Sequence, residues 1–234
     1  MSSEILQHEI GHHNPTVGGY LREIVFGFND GVISTFAIIA GLYGGTASQS
    51  TILLAALATM VAGAFSMGLG TYLGNKSARD LYLSEIQREL KEMEEVPEIE
   101  RQEIRDIYST KGFKGELLEK VVDTITSDKK VWLDTMMRDE LGFGDEPEHP
   151  SKLAASMAIA FIVGSAMATS PYFLEGTPLS IFYWSAGASI MSLTLIGWLK
   201  TYFTQLNPLL SIAETLGVGI MAAGGAYAVG ILIG

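Results

Sequence analysis

Asp30 stands inside the first long apolar stretch, in the run FGFNDGVISTFAII. An ionisable group there is tolerated only if it pairs, takes up a proton or binds an ion. Counted from Arg22 it lies eight residues in, or about 12 Å along a helix. Met67, on an oppositely running second stretch, lies nine residues before Lys76 and so at a similar depth. A carboxylate supplies charge and a polarizable thioether favours transition metals over Mg²⁺ or Ca²⁺, so the pair suits a borderline divalent ion. A methionine in a membrane helix more often only packs, and Asp30 is what gives Met67 its interest. Asp30 could alternatively make a packing hydrogen bond to Asn29 or to a Ser or Thr. Glu23 and Glu214 lie nearer to helix ends and read as interfacial, Glu214 with the further option of facing a cavity.

A second set of candidates lies between residues 75 and 150. Glu89 and Glu92 share one helix face at i,i+3, Glu100 and Glu103 repeat that spacing on the next helix, and Met136, Met137 and Glu140 add a third contribution. Like charges so close destabilise a helix by a few tenths of a kcal/mol per pair, about 0.2–0.5, which a bound cation reverses. A solvated acidic face is the plainer reading for any one of them. His8, His12 and His13 offer imidazoles in a polar N-terminal segment, His8 and His12 at i,i+4 if helical.

The chain has no cysteine, so disulfides, thiolate ligands and cysteine nucleophiles are excluded together, and a metal must take carboxylate, imidazole, thioether or backbone oxygen. No nucleotide-binding glycine motif, Ser-His-Asp set or HExxH occurs, which argues against an ATP-driven pump, and no cofactor is expected beyond the divalent metal itself. The net charge of −11 argues against nucleic acid as a partner and suits cations.

The elements that must hold these residues are of two kinds. Apolar stretches at about 24–44, 52–73, 153–174, 179–199 and 209–233 each reach the roughly 20 residues a bilayer-spanning helix needs. The expected fold is all-α: an integral membrane protein of five transmembrane helices with a helical insert between helices 2 and 3. The division is 1–21 as an N-terminal segment, 22–74 as helices 1 and 2, 75–150 as the acidic insert, and 151–234 as helices 3–5. Within the insert, apolar periodicity predicts helices at about 75–95, 97–110, 115–127 and 129–141, with Pro97 opening one and KGFKG at 111–115 breaking the chain before the next. Every Lys and Arg falls at Arg22, within 76–152, or at Lys200. That asymmetry predicts a cytoplasmic N-terminus and insert, with Gly234 on the far side. The N-terminus has neither a basic start nor an apolar run, so no cleavable signal peptide is expected, and the short N-terminus fits a prokaryotic plasma membrane.

The segments REIVFGFNDGVISTFAIIAGL, SMGLGTYLGNKSARDLY, PEIERQEIRDIYSTKGF and DTMMRDELGF, in this order, resemble the vacuolar iron transporter family over about residues 20–234. The resemblance implies five membrane helices per subunit, a homodimer with its pathway at the subunit interface, exchange of Fe²⁺ for protons, and a cytoplasmic metal-binding domain between helices 2 and 3. By position, Asp30 and Met67 match the ion-pathway ligands, and Glu89, Glu92, Glu100, Glu103, Met136, Met137 and Glu140 match the cytoplasmic metal ligands. One departure stands out: where relatives commonly have Gly-Glu-Tyr, this chain has Gly70-Thr71-Tyr72, so an acidic group at the pathway mouth is missing.

The resulting expectation is a secondary transporter, not an enzyme, carrying Fe²⁺ or other divalent ions such as Mn²⁺, Co²⁺ and Zn²⁺. One subunit offers a single carboxylate beside Met67, so a two-fold axis would complete the site. Two rivals are a ferroxidase-like di-iron insert and a membrane-anchored metal-binding or storage protein. The first usually needs Glu-x-x-His pairs, and the only nearby histidine is His149, outside the insert helices. The second has no use for a carboxylate within the membrane.

Overall fold

The computed structural model describes residues 15–204 and 207–234. Helices α1 (Pro15–Gly44) and α2 (Gln49–Glu95) are followed by α3 (Pro97–Thr110), α4 (Gly115–Thr126) and α5 (Lys129–Thr135), which runs into a π-helical turn at Met136–Glu140. Then come α6 (Pro150–Thr169), a 3₁₀ turn (Ser170–Phe173), α7 (Pro178–Thr204) and α8 (Pro208–Ile233). No strand occurs among the described residues. Proline opens α3, α6, α7 and α8, because its fixed φ suits the first helical position and its missing N–H would have no partner there. Asn207 adds a cap to α8, its side chain accepting a hydrogen bond from Leu209 N.

Among the described residues, five helices are long and apolar enough to cross a membrane, at Gly19–Gly44, Gln49–Glu95, Pro150–Phe173, Pro178–Tyr202 and Pro208–Ile233. A helix satisfies its own backbone groups where lipid offers no partner, so a chain of this composition is an all-α integral membrane protein. The described chain forms two compact units: one reaches up to Leu73 and resumes at His149, and the other is Gly74–Glu148. α2 is a single 47-residue helix.

In the membrane unit, α1 is clasped through glycines. A Cβ on Gly31 would lie 2.2 Å from the carbonyl oxygen of Phe161, and one on Gly164 would lie 2.3 Å from that of Phe28, so α1 and α6 meet backbone to backbone. Ser165 Oγ donates to the Gly31 carbonyl at 3.2 Å across the same contact. Near its other end α1 meets α8, where a Gly230 Cβ would sit 1.9 Å from the Gly41 oxygen. Ser185 donates to the Ala168 carbonyl and Ser211 to that of Gly197, tying α7 to α6 and α8 to α7. An apolar cluster of Ile39, Ile52, Ala56, Tyr172 and Ile181 fills the space between α1, α2 and α7.

The insert unit has its own core of Ile104, Leu118, Val122, Ile125 and Met136. Asp128 caps α5, accepting from Lys130 N and Val131 N. Arg105 binds Glu119 through two hydrogen bonds of 2.8 and 2.9 Å, joining α3 to α4. The helix expected over 129–141 departs from α geometry at Met136, where the Leu141 N–H donates to the Met136 carbonyl five residues back. That wider turn rotates the last residues relative to an ideal helix.

Candidate metal centres

The insert gathers carboxylates from three elements. Glu89 and Glu92 project from one face of α2 and Glu100 from the first turn of α3, and one oxygen from each lies within 4.8 Å of the others. Glu89 and Glu100 are 1% and 3% exposed, a depth at which acidic groups are rare unless something compensates them. One oxygen of each, Oε2, is buried with no hydrogen-bond partner. A buried acceptor without a donor is costly, and a cation that accepts both orphaned oxygens removes that cost.

The local electrostatics agree. Burial first, then Glu103, Glu89, Glu92 and Glu140, pushes the Glu100 carboxyl up to about 7. Glu140, at the end of the π-helical turn, is likewise pushed up to about 7 by desolvation of its carboxyl, with Glu103 and Glu89 adding to it. Glu103 rises for the same reasons, burial leading and Glu89 and Glu92 following. These five glutamates therefore act on one another, and a proton or a metal ion relieves them. Met137 is buried beside them in sequence, on the π-helical turn with Glu140. Met136 is wholly buried and belongs to the apolar core with Ile104 and Val122, so packing occupies at least part of its surface.

In the membrane unit, Asp30 lines a cavity of about 350 Å³ with Phe26, Asn29 and Ile33 of α1, Lys200 of α7, and Glu214, Thr215 and Val218 of α8. One of its oxygens accepts a hydrogen bond from Ser34 Oγ at 2.8 Å, so Asp30 both makes a local bond and faces open space. Asn29 Oδ1 is buried without a partner. Lys200 Nζ lies 3.8 Å from Glu214 Oε2. Met67 is half-buried on α2 and is not among the residues lining this cavity. Its depth nevertheless compares with that of Asp30 along α6: Gly31 meets Phe161, and Gly68 meets Ala158. Three residues of helix separate those contacts, about 4.5 Å.

A model of the VIT family matches residues 21–231. The chain belongs to the VIT family. It is 36% identical over 228 residues to Vacuolar iron transporter 1 of Tulipa gesneriana, covering 97% of this chain and 92% of that one. Vacuolar iron transporter 1 of Oryza sativa subsp. japonica is 37% identical over 221 residues, covering 92% and 88%. The vacuolar iron transporter of Toxoplasma gondii is 33% identical over 232 residues, covering 95% and 77%.

In this VIT-family chain Glu214, which the sequence reads as interfacial with the option of facing a cavity, takes that option: it lines the same cavity as Asp30, so a second carboxylate is available within one chain. Lys200 beside it served only as an orientation marker in the sequence. Arg88 drew no attention at all, yet its guanidinium reaches three glutamates of the insert. Glu23, expected to be interfacial, is 4% exposed and paired with Arg22 at 2.6 Å. Thr71 is half-buried on α2. His8, His12 and His13 lie outside the described residues.

Proposed function

We propose that this chain is a secondary transporter that exports Fe²⁺ from the cytoplasm in exchange for protons. The observation that carries the reading is Asp30: a carboxylate in a membrane-spanning helix that opens onto a cavity holding Glu214, Lys200, Asn29 and Thr215. A group so placed needs a counter-charge or a proton, and a transported divalent ion and a returning proton supply these alternately. A proton and a divalent ion compete for the same carboxylate, which couples the two fluxes with opposite sign. Relatives that match nearly the whole chain bear the name vacuolar iron transporter, which supports iron as the cargo. Carboxylate and thioether ligands also accept Mn²⁺, Co²⁺ and Zn²⁺.

In this reading the N-terminus and the insert face the cytoplasm, which the Lys and Arg distribution favours. The insert captures metal with Glu89, Glu92, Glu100, Glu103, Glu140 and the thioethers of Met136 and Met137. Two copies of the chain form the working unit, so that Asp30 and Met67 of each contribute around a two-fold axis. An outward stripe of α2, with Leu54, Val61, Phe65 and Leu69 at helical spacing and each more than half exposed, is open to such a partner as well as to lipid.

The test is Fe²⁺ flux into proteoliposomes with an imposed pH gradient. Flux should follow the gradient and disappear in Asp30→Ala. Flux that ignores the gradient removes the exchange, and flux that survives Asp30→Ala removes the pathway.

A further inference from the structure

Arg88 sits in the middle of the acidic insert. Its Nη2 lies 3.0 Å from Glu85 and 3.1 Å from Glu89, and its Nε lies 3.6 Å from Glu92. One guanidinium thus spans i−3, i+1 and i+4 on a single helix. Glu89 and Glu92 belong to the three carboxylates whose oxygens converge within 4.8 Å, and Glu85 does not. Glu89 is the most buried of them, and its two oxygens differ: Oε1 accepts from Arg88 while Oε2 is buried with no partner. Glu100 presents a second orphaned oxygen from across the helix pair. The side chain of Arg88 is 48% exposed, so it has open space into which to swing.

We infer that Arg88 is a tethered counter-cation which occupies the carboxylate cluster in place of a metal ion and withdraws to Glu85 when a divalent ion arrives. The inference rests on the reading of the insert as a metal-capturing unit. Without an ion, the crowded glutamates need protons or a positive partner, and a guanidinium one residue from Glu89 supplies the latter permanently because it stays protonated. Both Glu89 and Glu92 can then turn from Arg88 to the ion, while Glu85, at i−3, keeps the displaced guanidinium paired. A divalent ion brings twice the charge and bonds directly to several oxygens, so it displaces the guanidinium where a monovalent ion does not. Arg88 therefore lowers metal affinity and raises the stability of the empty insert, which sets a threshold of free metal below which the site remains open.

This role is opposite in sign to that of an ordinary structural ion pair. Loss of a merely structural arginine loosens the insert and weakens metal binding. Loss of a competing cation also loosens the empty insert, but it tightens binding. The test uses the full-length protein in detergent, with Mn²⁺ and Co²⁺ titrated calorimetrically and the melting temperature recorded with and without metal. Arg88→Met should lower the Tm of the metal-free protein and strengthen Mn²⁺ binding by on the order of tenfold, the scale of one like charge removed at close range. Glu85→Gln should act in the other direction, because a guanidinium deprived of its resting place competes harder for Glu89 and Glu92. Arg88→Lys, which keeps the charge, should bind closer to the parent than Arg88→Met does. Unchanged or weaker binding in Arg88→Met, or stronger binding in Glu85→Gln, overturns the inference. If Arg88→Met does not fold, Glu85→Gln alone decides it. Glu100→Gln separates the two levels: if it binds Mn²⁺ as the parent does, the metal-capturing reading itself falls.

Discussion

At the scale of single residues, the proposed metal capture by the insert should depend on pH, because its carboxylates take up protons. Glu100 and Glu140 hold their protons up to about 7 in the folded chain, against an ordinary value of 4.5. Between those values the folded state binds more protons than the unfolded one. Their contribution to stability is therefore complete below 4.5 and is lost as pH rises through about 7. A bound ion reverses the loss by replacing the protons. Calorimetry of Mn²⁺ binding in buffers of different ionisation enthalpy should report about two protons released per ion at pH 6 and almost none at pH 8.5. Affinity should rise over the same interval. Proton release that does not vary with pH would exclude Glu100 and Glu140 from the ligand set. The i,i+3 spacing alone was enough to put Glu89 and Glu92 on one face, since helical period is written locally. The cavity around Asp30 was not legible in this way. Its other charges come from α7 and α8, some 170 residues on, and which faces of those helices turn inward depends on packing that no local period encodes.

At the scale of elements, glycine decides how near the helices come. The five apolar stretches and the insert helices were readable because length, proline position and charge content change abruptly at their ends. The contact between α1 and α6 was readable only as a general richness in small residues. Its substance is a backbone approach in which a Gly31 side chain has no room, 2.2 Å from the Phe161 oxygen. Gly31→Ala should force the two helices apart, cost about 1–3 kcal/mol and lower the thermal midpoint in detergent. Gly187, on α7, would carry a Cβ with nothing within 4 Å of it, and Gly187→Ala should be neutral or stabilise by up to about 1 kcal/mol. Equal midpoints for the two variants would contradict the close approach. Because Asp30 is the residue before Gly31, Gly31→Ala should also lower Fe²⁺ flux, whereas Gly187→Ala should not. The π-helical turn at Met136–Glu140 was not foreseen either, because apolar periodicity continues across it and only hydrogen bonding reveals the extra residue in the turn.

At the scale of the whole molecule, one chain leaves the Asp30 cavity without a sulfur ligand, and Met67 lies on a different helix at comparable depth. In the proposed dimer, a second copy related by a two-fold axis would bring both residue types together in duplicate. The apolar stripe of α2 would then be partly covered by protein. The sequence makes this easy to test, since it has no cysteine and a single introduced thiol reports alone. If the axis passes close to Met67, Met67→Cys should form a disulfide on mild oxidation, giving a band at twice the 25.2 kDa chain mass. Disulfide geometry requires Cα atoms within about 7 Å, so the bond is a stringent ruler. Tyr183→Cys, on the exposed face of α7, should remain monomeric under the same oxidation. Mn²⁺ present beforehand should slow the reaction of Met67→Cys, because a thiolate bound to metal is withdrawn from oxidation. A Met67→Cys protein that never cross-links, while light scattering finds one chain per micelle, would confine ion passage to a single subunit. Glu214 would then be the second carboxylate beside Asp30, and Glu214→Gln should lower flux as far as Asp30→Asn does.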